Sequence, residues 1–368
     1  MIEMQRNWLS GLFWSCLAVF ALSLCAKEVS EDDVLFASGR WLEANAAFWG
    51  NAQLPVPSSA KRMVDAEGKP LPLWKVSLSP CGYIVFSSDD TLPPVVAFNA
   101  KGGAAKLPET LSLMLEKQGQ IFQDALTAEK TRGDSTAENQ ECWNALLART
   151  RAYSITPGSI IRQPMLDTEW EQNSPFNMLC PNSSTSKERA VTGCVAVAAG
   201  QVMKFHEWPV AGTGSKEVVD AEGAIQATIS ADYSFPYNWD AIPDDTNTLE
   251  KASDAIPLAR LLMDAGILGS KKDELNNDTL NYELDNTYAA SARLQEFLPK
   301  YLYYSTAIQY GDTRSGVTGG PIPQSTLYSR IRNDMVNGLP AIVCFPGHAF
   351  VADGLGTSGG KDYYHFNY

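Results

Sequence analysis

The first long apolar stretch is Trp8–Ala26, a run without charge, preceded by Arg6 and followed by Lys27 and Glu28. Its length and flanks predict a secretory signal cleaved after Cys25 or Ala26, with a single membrane anchor as the alternative. Beyond it, apolar positions recur at helical spacing from Val34 to Phe48. Lys75–Leu78 and Gly82–Phe86 read as strands joined by the turn Pro80-Cys81-Gly82, and Val95–Phe98 as another strand. Leu107–Leu126 has the pattern of an amphipathic helix. Thr127–Asn139 is polar and reads as a linker, with a short helix expected over Cys142–Arg149. Residues 27–150 are therefore expected to form a small α+β unit.

From about residue 151 the pattern changes to turn-rich segments around one helix, Thr192–Met203, that is apolar on every face. Such a helix belongs at the centre of a core. Near the end come three short strands: Pro340–Phe345, broken at Pro346-Gly347; His348–Gly354; and Tyr363–Tyr368. Gly356–Gly360 is the expected hairpin loop. A hairpin centred between Thr357 and Ser358 would set His348 directly opposite Asn367, on one face. The expected class is α+β throughout, with the second unit over 151–368.

Composition narrows the chemistry. The 368 residues are 45% hydrophobic and 19% charged, which suits a folded chain of about two domains. A net charge of -13 argues against nucleic acid as a partner, since phosphate binding needs clustered Lys and Arg. No apolar run after the signal is long enough to span a membrane, so no membrane association is expected once the signal is gone. Three histidines leave little room for a metal site, and no cofactor is called for. Five of the seven cysteines lie beyond Ala26: Cys81, Cys142, Cys180, Cys194 and Cys344. In an exported protein that odd number leaves at least one thiol unpaired within the chain.

Cys194 has the most unusual setting. It falls in the first turn of the apolar helix, after Thr192 as the expected N-cap and Gly193 as the bend. Free N–H groups and the helix dipole there favour a thiolate. A base must come within about 3 Å or one water of it. His206 is twelve residues along the same helix, roughly 18 Å away at about 1.5 Å per residue, and reads as a helix-end residue. His348 and His365 remain as candidate bases, with Asn367 placed to orient His348. A second oxyanion donor beside the Cys194 N–H is expected from the amide-rich segment 167–181, with Gln172 as the candidate and Asn173 and Asn177 as rivals.

These segments together resemble the streptopain family (peptidase family C10) of secreted papain-like cysteine proteases. The resemblance rests on Arg162-Gln163-Pro164, Trp170–Pro181, Thr192–Ala196 with Gln201–Pro209, Gly347–Gly354 and Tyr364–Asn367, in that order, and on Ser79–Pro94 upstream. It implies a papain-like fold in which Cys194 is the nucleophile, His348 rather than His365 the base, Gln172 an oxyanion donor and Asn367 the residue orienting the histidine. It also implies a zymogen whose prodomain, residues 27–150, blocks the cleft until cleavage between Arg149 and Gln163. The implied activity is endopeptidase action on protein or peptide substrates. Two features depart from the family: Tyr368 stands where Trp is usual and the glycine-rich stretch after it is missing, which reads either as truncation at the C-terminus or as a genuine divergence; and residues 269–292 are less glycine-rich than usual. Two other readings stay open, an inactive binding or adhesion protein on a protease scaffold and a papain-like amidase or acyl transferase.

Overall fold

The computed structural model describes residues 27–50, 53–100, 107, 109–128, 134–149, 155–183, 188–220, 228–274, 276–284, 287–314, 320–345 and 347–367. The expected signal, Trp8–Ala26, lies outside them, as do Tyr368 and residues 150–154 of the expected cleavage interval.

Ser30 starts α1 (Glu31–Ala44) with a capping box: its hydroxyl accepts from the Asp33 N–H, and the Asp33 carboxylate accepts from the Ser30 N–H. Four strands follow as an antiparallel meander, β1 (Val56–Val64), β2 (Pro70–Ser79), β3 (Tyr83–Ser87) and β4 (Val95–Asn99). β3 is buried at every position because the sheet is covered on both faces. Ile84 and Phe86 pack with α1 and with Trp143 of α3 (Asp134–Leu147). Tyr83 and Val85 face α2 (Glu109–Thr127) instead. The expected linker over Thr127–Asn139 is corrected here, because α3 begins inside it at Asp134. What draws that polar stretch into a helix is its C-terminal half: Trp143 is buried and donates its indole N–H to Leu92 O at 3.1 Å.

The rest of the chain builds a second core. β5 (Ser159–Arg162) leads to α4 (Cys194–His206), the all-apolar helix. β6 (Ser215–Asp220) and β7 (Thr228–Asp232) precede α5 (Ile256–Leu268). β8 (Lys271–Lys272), β9 (Asp278–Tyr282) and β10 (Thr287–Tyr288) complete a mixed sheet, in which β6 and β9 run parallel. α6 (Leu294–Leu302) and α7 (Gln324–Val336) come before the final antiparallel sheet, β11 (Ala341–Phe345), β12 (His348–Ser358) and β13 (Lys361–Asn367), with β5 beside β12. α4 is held between α5 and this sheet. On the α5 side Gly200 leaves no room for a side chain, since a Cβ there would lie 2.7 Å from Leu262. On the other side Ala349 and Val351 of β12 join its core.

The β12–β13 register differs from the expected one. The turn is Gly359-Gly360, with φ of 55° and 74°, so Ser358 pairs with Lys361. A two-residue turn of this kind needs positive φ at both central positions, and the paired glycines supply it. Gly356, expected in the loop, lies within β12, where a Cβ would meet the Phe48 ring at 2.5 Å. An irregularity at Asp353 shifts the ladder once more, and Asn367 ends opposite Val351, not His348.

The same hairpin joins the two cores. Tyr363 of β13 enters the aromatic cluster of Trp41, Phe48 and Phe98, with ring centroids 6.3, 6.2 and 6.0 Å away.

One buried acid sets a pH dependence. Asp264 on α5 accepts from Tyr237 Oη at 3.0 Å and lies 3.4 Å from Arg260. Burial pushes its carboxyl up to about 7 despite the guanidinium. A raised carboxyl pKa means the folded state holds the proton more tightly, so this contribution is full below the ordinary value near 3.8 and is lost as pH rises through about 7. Asp264→Asn is expected to gain on the wild type as pH rises across that window, read from paired melting curves. A constant difference in melting temperature would refute it.

Candidate active site

The start of α4 is tighter than expected. The N-cap is Gly193, at φ 89°, and not Thr192. Thr192 turns back instead and donates its N–H to Gln172 O at 3.1 Å. Gly193 is required twice over: its φ belongs to the left-handed region, and a Cβ would sit 2.6 Å from Thr287 O. Cys194 is thereby fixed as the first helical residue, with the Gln172 carbonyl held by Thr192, two residues before it.

Cys194 is half-buried at the edge of the core. Burial pushes its thiol up, while the N–H groups of Ala349, Val195 and Cys194 itself pull the other way. Burial prevails, so the expected thiolate is a neutral thiol in this arrangement. The helix start does aim donors at the sulfur, but it is too well covered for them to ionise it.

His348 opens β12 after Gly347, at φ 94°, and pairs with Phe345 across the turn. Its neighbour Ala349 is the residue whose N–H faces the Cys194 sulfur. The chain thus brings the nucleophile candidate against the start of the histidine strand. The imidazole itself stacks on Phe350, with centroids 6.0 Å apart and planes 24° apart. Strand alternation sends Ala349 and Val351 toward α4 and His348 with Phe350 to the other face. Burial lowers the His348 pKa, so the base candidate is neutral like the thiol.

The other expected residues fall as follows. Asn367 does not lie opposite His348: its Oδ1 accepts from Gln201 Nε2 of α4 at 2.8 Å, and its Nδ2 donates to Thr168 O at 2.8 Å. The cause is the Gly359-Gly360 turn, which moves the hairpin register, with one further step at Asp353 that sets Asn367 opposite Val351. His365, the rival base, is engaged elsewhere, with Nδ1 2.6 Å from Asp353 Oδ1. Asp353 is fully buried, and its Oδ2 accepts the N–H groups of Met165 and Leu166 at 3.1 and 3.0 Å. Asn177, a rival oxyanion donor, is a turn residue whose amide donates to Ala190 O at 2.9 Å, and Asn173 accepts the Asn177 N–H through its carbonyl. His206 is at the helix end as expected, but its ring packs edge-on against Phe205 and Tyr304. Among the described residues no three His, Cys, Asp or Glu side chains gather as a metal site.

Sequence reasoning passed over Gln201, Asp353 and Cys344. Cys344 of β11 lies directly opposite Ala349. The Pro346-Gly347 break was the available signal, because a two-residue turn there fixes that pairing.

Comparison with known proteins gives the family and the fold. The sequence model of the peptidase C10 family matches residues 170–368. The thiol protease/hemagglutinin PrtT of Porphyromonas gingivalis is 24% identical over 297 residues, covering 78% of this chain and 31% of PrtT, so the chain spans about a third of that relative. Streptopain of Streptococcus pyogenes is 20% identical over 317 residues, covering 80% of this chain and 70% of streptopain. The fold matches that of prointerpain A from Prevotella intermedia with a TM-score of 0.59 at 21% identity, over 83% of this chain and 91% of that one. The α+β, papain-like class expected from the sequence is therefore the class observed.

Gly193→Ala tests the helix start. The added methyl meets the Thr287 carbonyl in a strained backbone and is expected to cost about 1–3 kcal/mol. Chemical denaturation would measure this, and an unchanged midpoint would show that the start of α4 tolerates a side chain.

Proposed function

The chain belongs to the peptidase C10 family, and we propose that it is an exported cysteine endopeptidase held latent by its own N-terminal unit. The observation that carries the reading is the approach of the α4 start to the start of β12, where Cys194 packs against the core that holds Ala349. In the working enzyme His348 leaves the face it shares with Phe350, turns to Cys194 and takes its proton, and the thiolate attacks the peptide carbonyl. The Cys194 N–H and the Gln172 side chain receive the oxyanion. His348 then protonates the leaving amine and activates water to release the acyl group. No step calls for a metal or an organic cofactor. Asn367, bound to Gln201 and Thr168, supports the floor of this site through α4 and orients the histidine only after a rearrangement.

Latency has its own support. The pair is neutral and covered in the intact chain. The N-terminal unit comes close to it: Lys117 of α2 lies 5.5 Å from the ring of Phe345, the residue paired with His348. Residues 27–150 act as the intramolecular inhibitor, residues 151–368 as the catalytic domain, and cleavage between Arg149 and Gln163 separates them. Substrates are proteins or peptides.

Two outcomes follow. Protein processed in the 149–163 interval is expected to hydrolyse casein, and Cys194→Ala or His348→Ala to lose at least about a thousandfold in kcat. Casein turnover retained in Cys194→Ala would end the reading. In the intact chain the raised thiol pKa predicts alkylation of Cys194 that climbs only above the ordinary thiol range, near 9.0. After processing, selective alkylation at about pH 6 that disappears in His348→Ala is expected from an ion pair. Equal labelling of every accessible cysteine would contradict it.

A further inference from the structure

Two thiols lie near one another at the cleft, and the peptidase reading uses one. Cys344 lies directly opposite Ala349 on the β11–β12 hairpin. Directly opposed residues share a face. Ala349 belongs to the core against which Cys194 packs, and its N–H is at the Cys194 sulfur. A second path leads to the same place. Thr287 closes over the residues just before Cys194: its hydroxyl donates to Val191 O at 2.5 Å, and its carbonyl lies against Gly193. Four residues later, Ser291 Oγ accepts from Cys344 Sγ at 3.1 Å. Cys344 therefore stands in the wall of the cleft that holds Cys194. It is exposed as a residue, but atoms crowd its sulfur, and their burial effect, followed by the Ser291 contact and the nearby Cys194, governs its thiol. The remaining described cysteines belong elsewhere: Cys81 to the β2–β3 turn, Cys142 to α3, and Cys180 to the core.

We propose that Cys344 is a resolving thiol for Cys194, closing a reversible disulfide when a peroxide oxidises the nucleophile. The Cys194 thiolate attacks one peroxide oxygen, the O–O bond breaks, and the other oxygen leaves as water after taking a proton. Cys194 is then a sulfenic acid. The Cys344 sulfur attacks the Cys194 sulfur, the S–O bond breaks, a second water leaves, and the S–S bond forms. Two thiols give up two electrons, and one hydrogen peroxide becomes two waters. The disulfide is reducible, whereas the sulfinic acid that would otherwise form is not. The step deepens the reading of Cys194 as the reactive thiol, but its test needs no peptidase activity.

The intact chain is treated with hydrogen peroxide above pH 9, where the covered Cys194 thiol begins to ionise, blocked with an alkylator, digested without reductant and mapped by mass spectrometry. A peptide pair joining Cys194 to Cys344 is expected, with Cys194 labelling restored by dithiothreitol. In Cys344→Ser, and in Cys344→Ala as a check on the substitution itself, Cys194 is expected to carry two or three oxygens and to resist dithiothreitol. A wild-type Cys194 that reaches the sulfinic state while Cys344 stays a free thiol would overturn the proposal. So would a disulfide from Cys194 to any other cysteine, or a wild type and variant that oxidise alike. If the casein assay fails but the disulfide forms, the peptidase reading falls and the thiol pair stands.

Discussion

A helix without a polar face has to be covered on every side, and α4 imposes that demand on the rest of the molecule. Val195 to Gly200, Gln201 and Met203 are all buried. One side is met by α5, brought close because Gly200 offers no side chain. The opposite side is met by β12 through Ala349 and Val351. The helix opens at its two ends, at His206 on the C-terminal side and at Cys194 on the N-terminal side. Fitting the helix into the core and placing the thiol at the seam are therefore one event. Burial of a whole helix is worth tens of apolar contacts, so the position of Cys194 is stabilised by far more than its own interactions.

The sheet side depends on a polar device. Asp353 is fully buried and accepts two backbone N–H groups from the segment after β5, while His365 sits against its other oxygen. A buried carboxylate has to be satisfied in this way. The ladder irregularity at Asp353 re-aims the end of β13. It carries the Asn367 amide over α4 to Gln201 and Thr168, not to His348. Two residues that read as site chemistry in the sequence, His365 and Asn367, thus act with Asp353 as the frame that positions β12 against α4.

Much of this was legible in advance. The all-apolar run with Gly193-Cys194 at its head announced a buried helix ending in a thiol. The Pro346-Gly347 break announced a strand beginning at His348. Short local signals of this kind are carried by backbone conformations only certain residues adopt. The hairpin register was not legible, because five turn-forming residues stand at Gly356–Gly360 and the choice among them is made by Phe48, three hundred residues away in sequence, filling the space beside Gly356. The charge state of Cys194 was not legible either. The helix start supplies donors to a thiolate, but whether they prevail depends on how much of the surrounding chain covers the sulfur.

That dependence connects the two cores. Tyr363 ties β13 into the ring cluster of Trp41, Phe48 and Phe98, and Lys117 reaches Phe345 at the tip of the neighbouring hairpin. The N-terminal unit thus grips the same sheet whose strand β12 packs on the α4 core through Ala349 and Val351. Covering a thiol and an imidazole acts on both in the same sense: it raises the first pKa, lowers the second and removes the ion pair. Charging the pair requires water to return to the seam. A clamp on the sheet and a neutral pair are therefore mutually consistent, and loosening the aromatic cluster at Tyr363 bears on the chemistry at Cys194 without any contact between the two.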